Sequence, residues 1–151
     1  MDVYSTGTAN IVAALRRHGV RRLVVVSSSV MDPRWRPSGE ALFNGVLDPL
    51  VNRRFGRTVH DDMRRMEALV RDTDLDWTIV RPSGLFDLPE PTAYETSEDR
   101  ADGLFTARPD LAAAMLDTLD GDRWVRRVMA VITTARRPRM LSLLWRELAA
   151  R

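Results

Sequence analysis

Leu23-Val24-Val25-Val26-Ser27-Ser28-Ser29 decides the fold. Four consecutive apolar residues, three of them β-branched, read as a strand buried on both faces, as in a parallel sheet covered by helices. Three hydroxyls then mark its carboxyl end. Immediately upstream, Thr6 to Arg17 predicts a helix: Ile11, Ala14, Leu15 and His18 share one face, Ser5 or Thr6 can cap the start, and Gly19 stands where a left-handed residue is wanted. Downstream, Val59, Met63, Met66 and Val70 recur at helical spacing, with Thr58 three residues before Asp61 in a loose capping-box arrangement. Asp76-Trp77-Thr78-Ile79-Val80 is a second buried strand, which Arg81-Pro82 should end because proline has no donor for a ladder. Pro109 opens a third helix with Leu111, Met115, Leu116 and Leu119 inward, and Val128 to Ile132 is a third strand.

This order of helices and strands belongs to right-handed parallel βαβ units, hence an α/β, Rossmann-like doubly wound parallel sheet. Two turn-rich stretches interrupt it. Met31 to Arg57 carries prolines and glycines and allows one helical turn around Ala41 to Val46; Gly84 to Gly103 carries Pro89, Pro91 and a series of acids. The tail, 134–151, is basic and then amphipathic, with Met140, Leu141, Leu144, Trp145 and Leu148 on one side of a helix. Three strands leave apolar flanks open, so either further strands or a second copy of the chain should complete the sheet.

Composition narrows the function classes. The chain has 151 residues, 44% of them hydrophobic, as expected of one globular domain. No cysteine is present, which excludes disulfides and thiolate sites, and the histidines are only His18 and His60, so no metal site is expected. All 23 basic side chains are arginine, a bias that suggests a GC-rich bacterial genome. They are dispersed as pairs rather than clustered on one element, which argues against nucleic-acid binding. No apolar run reaches the roughly 20 residues of a membrane span. The start lacks a signal-peptide pattern, so the expected location is cytoplasmic, away from membranes.

Three segments resemble the atypical short-chain reductases of the NAD(P)H-binding, NmrA-like type, and among them the flavin reductase (biliverdin reductase B) group. They are Gly7 to Leu15 running through His18-Gly19-Val20 into Val24-Val25-Val26-Ser27-Ser28; Asp61-Asp62-Met63-Arg64-Arg65-Met66 with Leu69 and Arg71; and Leu75 to Pro82 with Asp87 and Tyr94. The resemblance implies that residues 1–133 are the C-terminal part of an NAD(P)-binding Rossmann-like domain, followed by the helical tail 134–151. It further implies N-terminal truncation: the first βαβαβ part, with the glycine-rich turn that cradles the pyrophosphate, is absent, since the eight glycines offer no such spacing. This chain alone should then bind NADP or NAD weakly or not at all.

The implied activity is hydride transfer to a flat conjugated acceptor such as a flavin or quinone when the site is complete. Two alternatives stand beside it: a non-catalytic, NmrA-like dinucleotide sensor, and an inactive truncated gene product. In open α/β sheets ligands bind at the carboxyl ends of the strands. There the resemblance makes Ser28 the residue contacting nicotinamide and substrate, a catalytic candidate, with Ser27, Pro82, Ser83 and Gly84 also lining the cofactor. Trp35, Phe86 and Tyr94 are candidates to stack on a small aromatic substrate, although loop aromatics more often plug a core edge. For the serines the plainer alternative is hydroxyls that satisfy loose backbone groups at a strand end. Arg81 reads as an anchor to some carboxylate.

A tyrosine–lysine proton-donating dyad cannot exist, because there is no lysine and the corresponding positions read as Val59 and Met63. That excludes ordinary alcohol dehydrogenation without excluding reduction. His60 beside Asp61 and Asp62 admits an acid–base reading, but acids in a first helical turn are explained by the helix dipole alone.

Overall fold

A computed structural model describes residues 2–35 and 57–135. They form helices α1 (Val3–Arg17), α2 (Arg57–Arg71) and α3 (Arg108–Asp117), interleaved with strands β1 (Arg22–Val26), β2 (Asp76–Pro82), β3 (Gly84–Phe86), β4 (Tyr94–Glu98), β5 (Phe105–Ala107) and β6 (Arg127–Thr133). The main sheet has the order β1-β2-β6-β4, in which β1, β2 and β6 are parallel and β4 runs antiparallel to β6. β3 and β5 pair in a small parallel sheet of their own.

Period-two alternation along the parallel strands builds a core on each face. Leu23, Trp77, Ile79 and Val128 meet Val12 of α1 and Val70 of α2 on one side. Val80, Met129 and Val131 meet Leu111 and Ala114 of α3 on the other. With helices on both faces the sheet is doubly wound, as its apolar runs indicated. Ile79, Val80, Val70 and Val131 are fully buried, each contributing about 1.5–3 kcal/mol relative to exposure.

Several expectations are corrected. α1 begins at Val3 rather than Thr6, and its inward stripe is Thr8, Val12 and Leu15, while Ile11 is 51% exposed. Packing against α2 selects a stripe one residue away from the one read from hydropathy. α3 turns Leu111 inward as read, with Met115 packed against the same cluster and Ala114 beside them, but Leu116 and, just past the helix, Leu119 are more than half exposed. Gly19 does adopt the left-handed conformation, φ +68°, as Val20 N donates back to Leu15 O at 3.0 Å.

β2 continues through Arg81 to Pro82, where the missing donor falls on the last residue of the ladder. The second turn-rich stretch contributes β3, β4 and β5. The helical turn expected at 41–46 and the tail helix lie outside the described residues, apart from the first two residues of the tail. Among the described residues β1 pairs only with β2, and Val24, Val25 and Val26 stay partly exposed although the sequence reads them as buried on both sides.

Candidate functional site

β1 and β2 end on the same edge of the sheet, and the chain leaving β1 is fastened there at successive points. Ser27 N donates to Val80 O at 2.8 Å. Ser29 Oγ donates to Arg81 O at 3.2 Å and lies 3.3 Å from Ser83 Oγ. Ser83 Oγ in turn donates to Gly103 O, its amide donates to Thr106 Oγ1, and Thr106 Oγ1 donates to Val131 O. These buried hydroxyls tie the ends of β1, β2, β5 and β6 together, so Ser29 and Ser83 do what strand-end hydroxyls ordinarily do.

The three serines are thus not equivalent. Ser27 is 4% exposed, and its Oγ, without a hydrogen bond of ordinary geometry among the described residues, faces Glu67 closely enough to help lower that carboxyl's pKa. Ser28 is half-buried and extended, with φ −150° and ψ 147°; its carbonyl accepts Met31 N at 3.0 Å, while its hydroxyl makes no hydrogen bond among the described residues. Between two neighbours held by β2, Ser28 alone offers an accessible, uncommitted hydroxyl. Pro82 is buried and Gly84 exposed. A Cβ on Gly84 would stand 3.0 Å from Leu104 O, so only glycine fits without a shift.

The aromatic candidates are not gathered into one pocket. Trp35 is partly buried and follows Ser28 through consecutive turns, its amide donating to Asp32 O at 3.0 Å. Phe86 is 6% exposed and packs edge-to-face on Phe105, the rings 6.4 Å apart, so in this conformation it fills the core. Tyr94 donates its hydroxyl to Asp117 on α3, and that hydrogen bond with burial pushes its pKa up to about 12.

Charged groups beneath the edge went largely unread in the sequence. Arg81 finds its carboxylate in Glu67 of α2, in a forked pair: Nε to Oε1 at 2.9 Å and Nη2 to Oε2 at 2.7 Å. Both side chains are at most 9% exposed. Burial raises the Glu67 pKa, but the hydrogen bonds of Arg81, the nearby Ser27 hydroxyl and the charges of Arg81 and Arg71 together outweigh it and leave the carboxyl below its usual value. The available signal was an acid next to Met66 on the inward stripe of a helix. Asp32, 5% exposed, accepts from the Arg34 amide and guanidinium, and these contacts lower its pKa.

Asp62 corrects the dipole explanation. Fully buried, it accepts from the Tyr4 and Ser5 amides and from Ser5 Oγ, and so caps α1 from α2. Burial alone would raise its carboxyl; the hydrogen bonds from Ser5 and Tyr4 bring it net below the ordinary range. His60 is half-buried in the first turn of α2.

A cavity of about 910 Å³ opens at the opposite, amino-terminal edge, among Arg22, Asp76, Asp122, Arg123 and Trp124. Among the described residues no group of three metal-ligating side chains occurs, and no helix is long and apolar enough to cross a membrane.

A family model described as NAD(P)H-binding matches residues 2–122. An uncharacterized chloroplastic protein of Arabidopsis thaliana is 32% identical over 105 residues, covering 62% of this chain and 35% of that protein. Among solved structures, a short-chain dehydrogenase/reductase of Veillonella parvula in complex with NADP matches with a TM-score of 0.71 at 22% identity, over 87% of this chain and 59% of that one. An anaerobillin reductase of Escherichia coli matches with a TM-score of 0.64 at 17% identity, over 91% of this chain and 62% of that one. The chain spans about a third of the length of the curated relative and about three-fifths of the solved ones.

Proposed function

The chain belongs to the NAD(P)H-binding family, and from that premise we propose that its β1–β2 carboxyl edge forms the nicotinamide side of a reductase site. The observation that carries this reading is Ser28: at the edge where open α/β sheets bind ligands, it is the strand-end serine whose hydroxyl is accessible and makes no hydrogen bond among the described residues. Ser28 would hydrogen-bond nicotinamide and acceptor. Pro82, Ser83 and Gly84 would line the pocket with backbone, Gly84 permitting close approach, and Trp35 would flank a flat substrate. Ser27 would act from below, since its side chain is buried.

When bound, NAD(P)H would supply the hydride that reduces a flavin, quinone or similar conjugated acceptor, and the accompanying proton would come from solvent. The chain's part is to orient the two rings. With no lysine and no glycine-rich turn of its own, it carries neither a tyrosine–lysine proton donor nor a pyrophosphate cradle. We therefore assign it the substrate half of the site, with weak dinucleotide affinity when alone, and expect further strands on the edge of β1 that is unpaired among the described residues. A second copy on that edge would instead give a dimer, which a mass measurement in solution separates. The missing dyad equally suits a dinucleotide sensor, which would bind NADPH without turnover.

Ser28→Ala is expected to lower NADPH-dependent reduction of FMN by on the order of tenfold, the worth of one lost hydrogen bond to the reacting groups. Rates per folded protein check it. Unchanged turnover in Ser28→Ala would sink the assignment; NADPH binding with no turnover in the unsubstituted protein would favour the sensor.

A further inference from the structure

We propose that the buried Glu67–Arg81 ion pair is a positioning device for the Ser28 hydroxyl, a role that rests on the reading of this edge as the nicotinamide side. Arg81 acts at both ends of the linkage. Its carbonyl accepts from Ser29 Oγ, and its guanidinium grips Glu67 through two hydrogen bonds, one to each carboxylate oxygen. Ser28 therefore stands between two attachments to consecutive β2 carbonyls, Ser27 N on Val80 O and Ser29 Oγ on Arg81 O. Any shift of Arg81 carries Ser29, and Ser28 with it. α2 supplies the fixed point, and Arg71 reaches the same Glu67 Oε2 at 3.5 Å. At the far side of the turn Asp32, held to Arg34, closes the segment.

A well-packed apolar pair can stabilise a core as effectively as a buried ion pair. What apolar side chains cannot reproduce is the guanidinium fork, which fixes direction as well as distance. Stability alone thus gives no reason for an arginine at the last but one residue of β2, whereas fixing the edge does.

The test is the double variant Glu67→Met/Arg81→Met, which removes the pair without leaving a lone buried charge. Arg81→Lys, which keeps the charge and loses the fork, serves should the double variant not fold. Two readouts are taken on the whole chain. Hydrogen exchange at the Met31 and Asp32 amides, whose acceptors are Ser28 O and Ser29 O, is expected to accelerate at least roughly tenfold while β6 stays protected. With NADPH and FMN as probes, kcat/KM is expected to fall on the order of tenfold in the otherwise unsubstituted chain. In a Ser28→Ala background the same change should cost less than about twofold, because coupled groups are not additive.

Unchanged exchange at Met31 and Asp32 overturns the proposal, as does an equal loss of turnover in both backgrounds, which would mark a general structural effect. If Ser28→Ala alone leaves turnover untouched, the nicotinamide-side reading fails instead, and the exchange measurement still decides whether the pair fixes the turn.

Discussion

Arg81→Met should destabilise the chain by about 3–5 kcal/mol, the usual consequence of leaving one member of a buried ion pair without its partner. Glu67 is 6% exposed, and in the variant only the half-exposed Arg71 would remain near it, at 3.5 Å. Since native domains are stable by about 5–15 kcal/mol in all, much of the variant should be unfolded in mild urea. Adding Glu67→Met should recover most of the loss, because the desolvation cost disappears with the charge. Urea melts of the single and double variants check both expectations.

The same pair sets a pH dependence. Glu67 titrates below its ordinary value of 4.5 in the folded chain, and Asp62 and Asp32 below theirs of 3.8. A depressed carboxylate stabilises the fold above its unfolded pKa and loses that contribution as pH falls through the folded one. Stability should therefore be level near neutrality and decline below about pH 4.5, less steeply in Glu67→Met/Arg81→Met than in the unsubstituted chain.

The second large effect concerns cofactor affinity. A glycine-rich turn places backbone amides and a helix N-terminus on the pyrophosphate, and two charge-assisted hydrogen bonds of about 1.5–3 kcal/mol each correspond to at least ~100-fold in Kd. Fusing a glycine-rich βαβ unit, such as that of an NADP-binding structural relative, ahead of this chain should tighten NADPH binding by that factor or more. Fluorescence titration of the two proteins measures it. The fusion should also cover Val24, Val25 and Val26, which β1 leaves partly exposed, and so raise the melting temperature.

How much of this was legible depends on which physical signal each element leaves in the sequence. Trp77 to Val80 announces itself because a strand buried on two faces is largely apolar, and Val24 to Val26 carries the same signal although these residues stay partly exposed. β4, Tyr94 to Glu98, leaves almost no such signal: as an antiparallel edge strand only partly covered, its Glu95-Thr96-Ser97-Glu98 reads like a polar turn. β3 and β5 are three residues each, too short for any period to emerge. Helix existence was legible at α1 and α3, and Leu15, Leu111 and Met115 were rightly read as inward, but Ile11 and Leu116 were not separable from them, being as apolar as the residues that packing selected.

At the site, the apolar run that stops at Val26 put the three serines at a strand end, where the structure has them. Distinguishing Ser28 from Ser27 and Ser29 required tertiary contacts: Ser27 lies against Glu67 of α2, Ser29 Oγ meets Arg81 O, and the Ser28 hydroxyl makes no hydrogen bond among the described residues. Asp62 capping Tyr4 spans 58 residues, a tertiary pairing with no local signature. Glu67 left a faint one, a carboxylate on an inward helical stripe, matched by an arginine in a buried strand.

The Ser28 edge, not the cavity at the amino-terminal end of the sheet, is expected to meet the nicotinamide. An NADP titration of the isotope-labelled chain followed by amide NMR tests it most directly. Shifts concentrated at Ser27 to Met31 and at Ser83 and Gly84, reduced by Ser28→Ala, are the predicted result; shifts confined to Arg22, Asp76, Arg123 and Trp124 would contradict it.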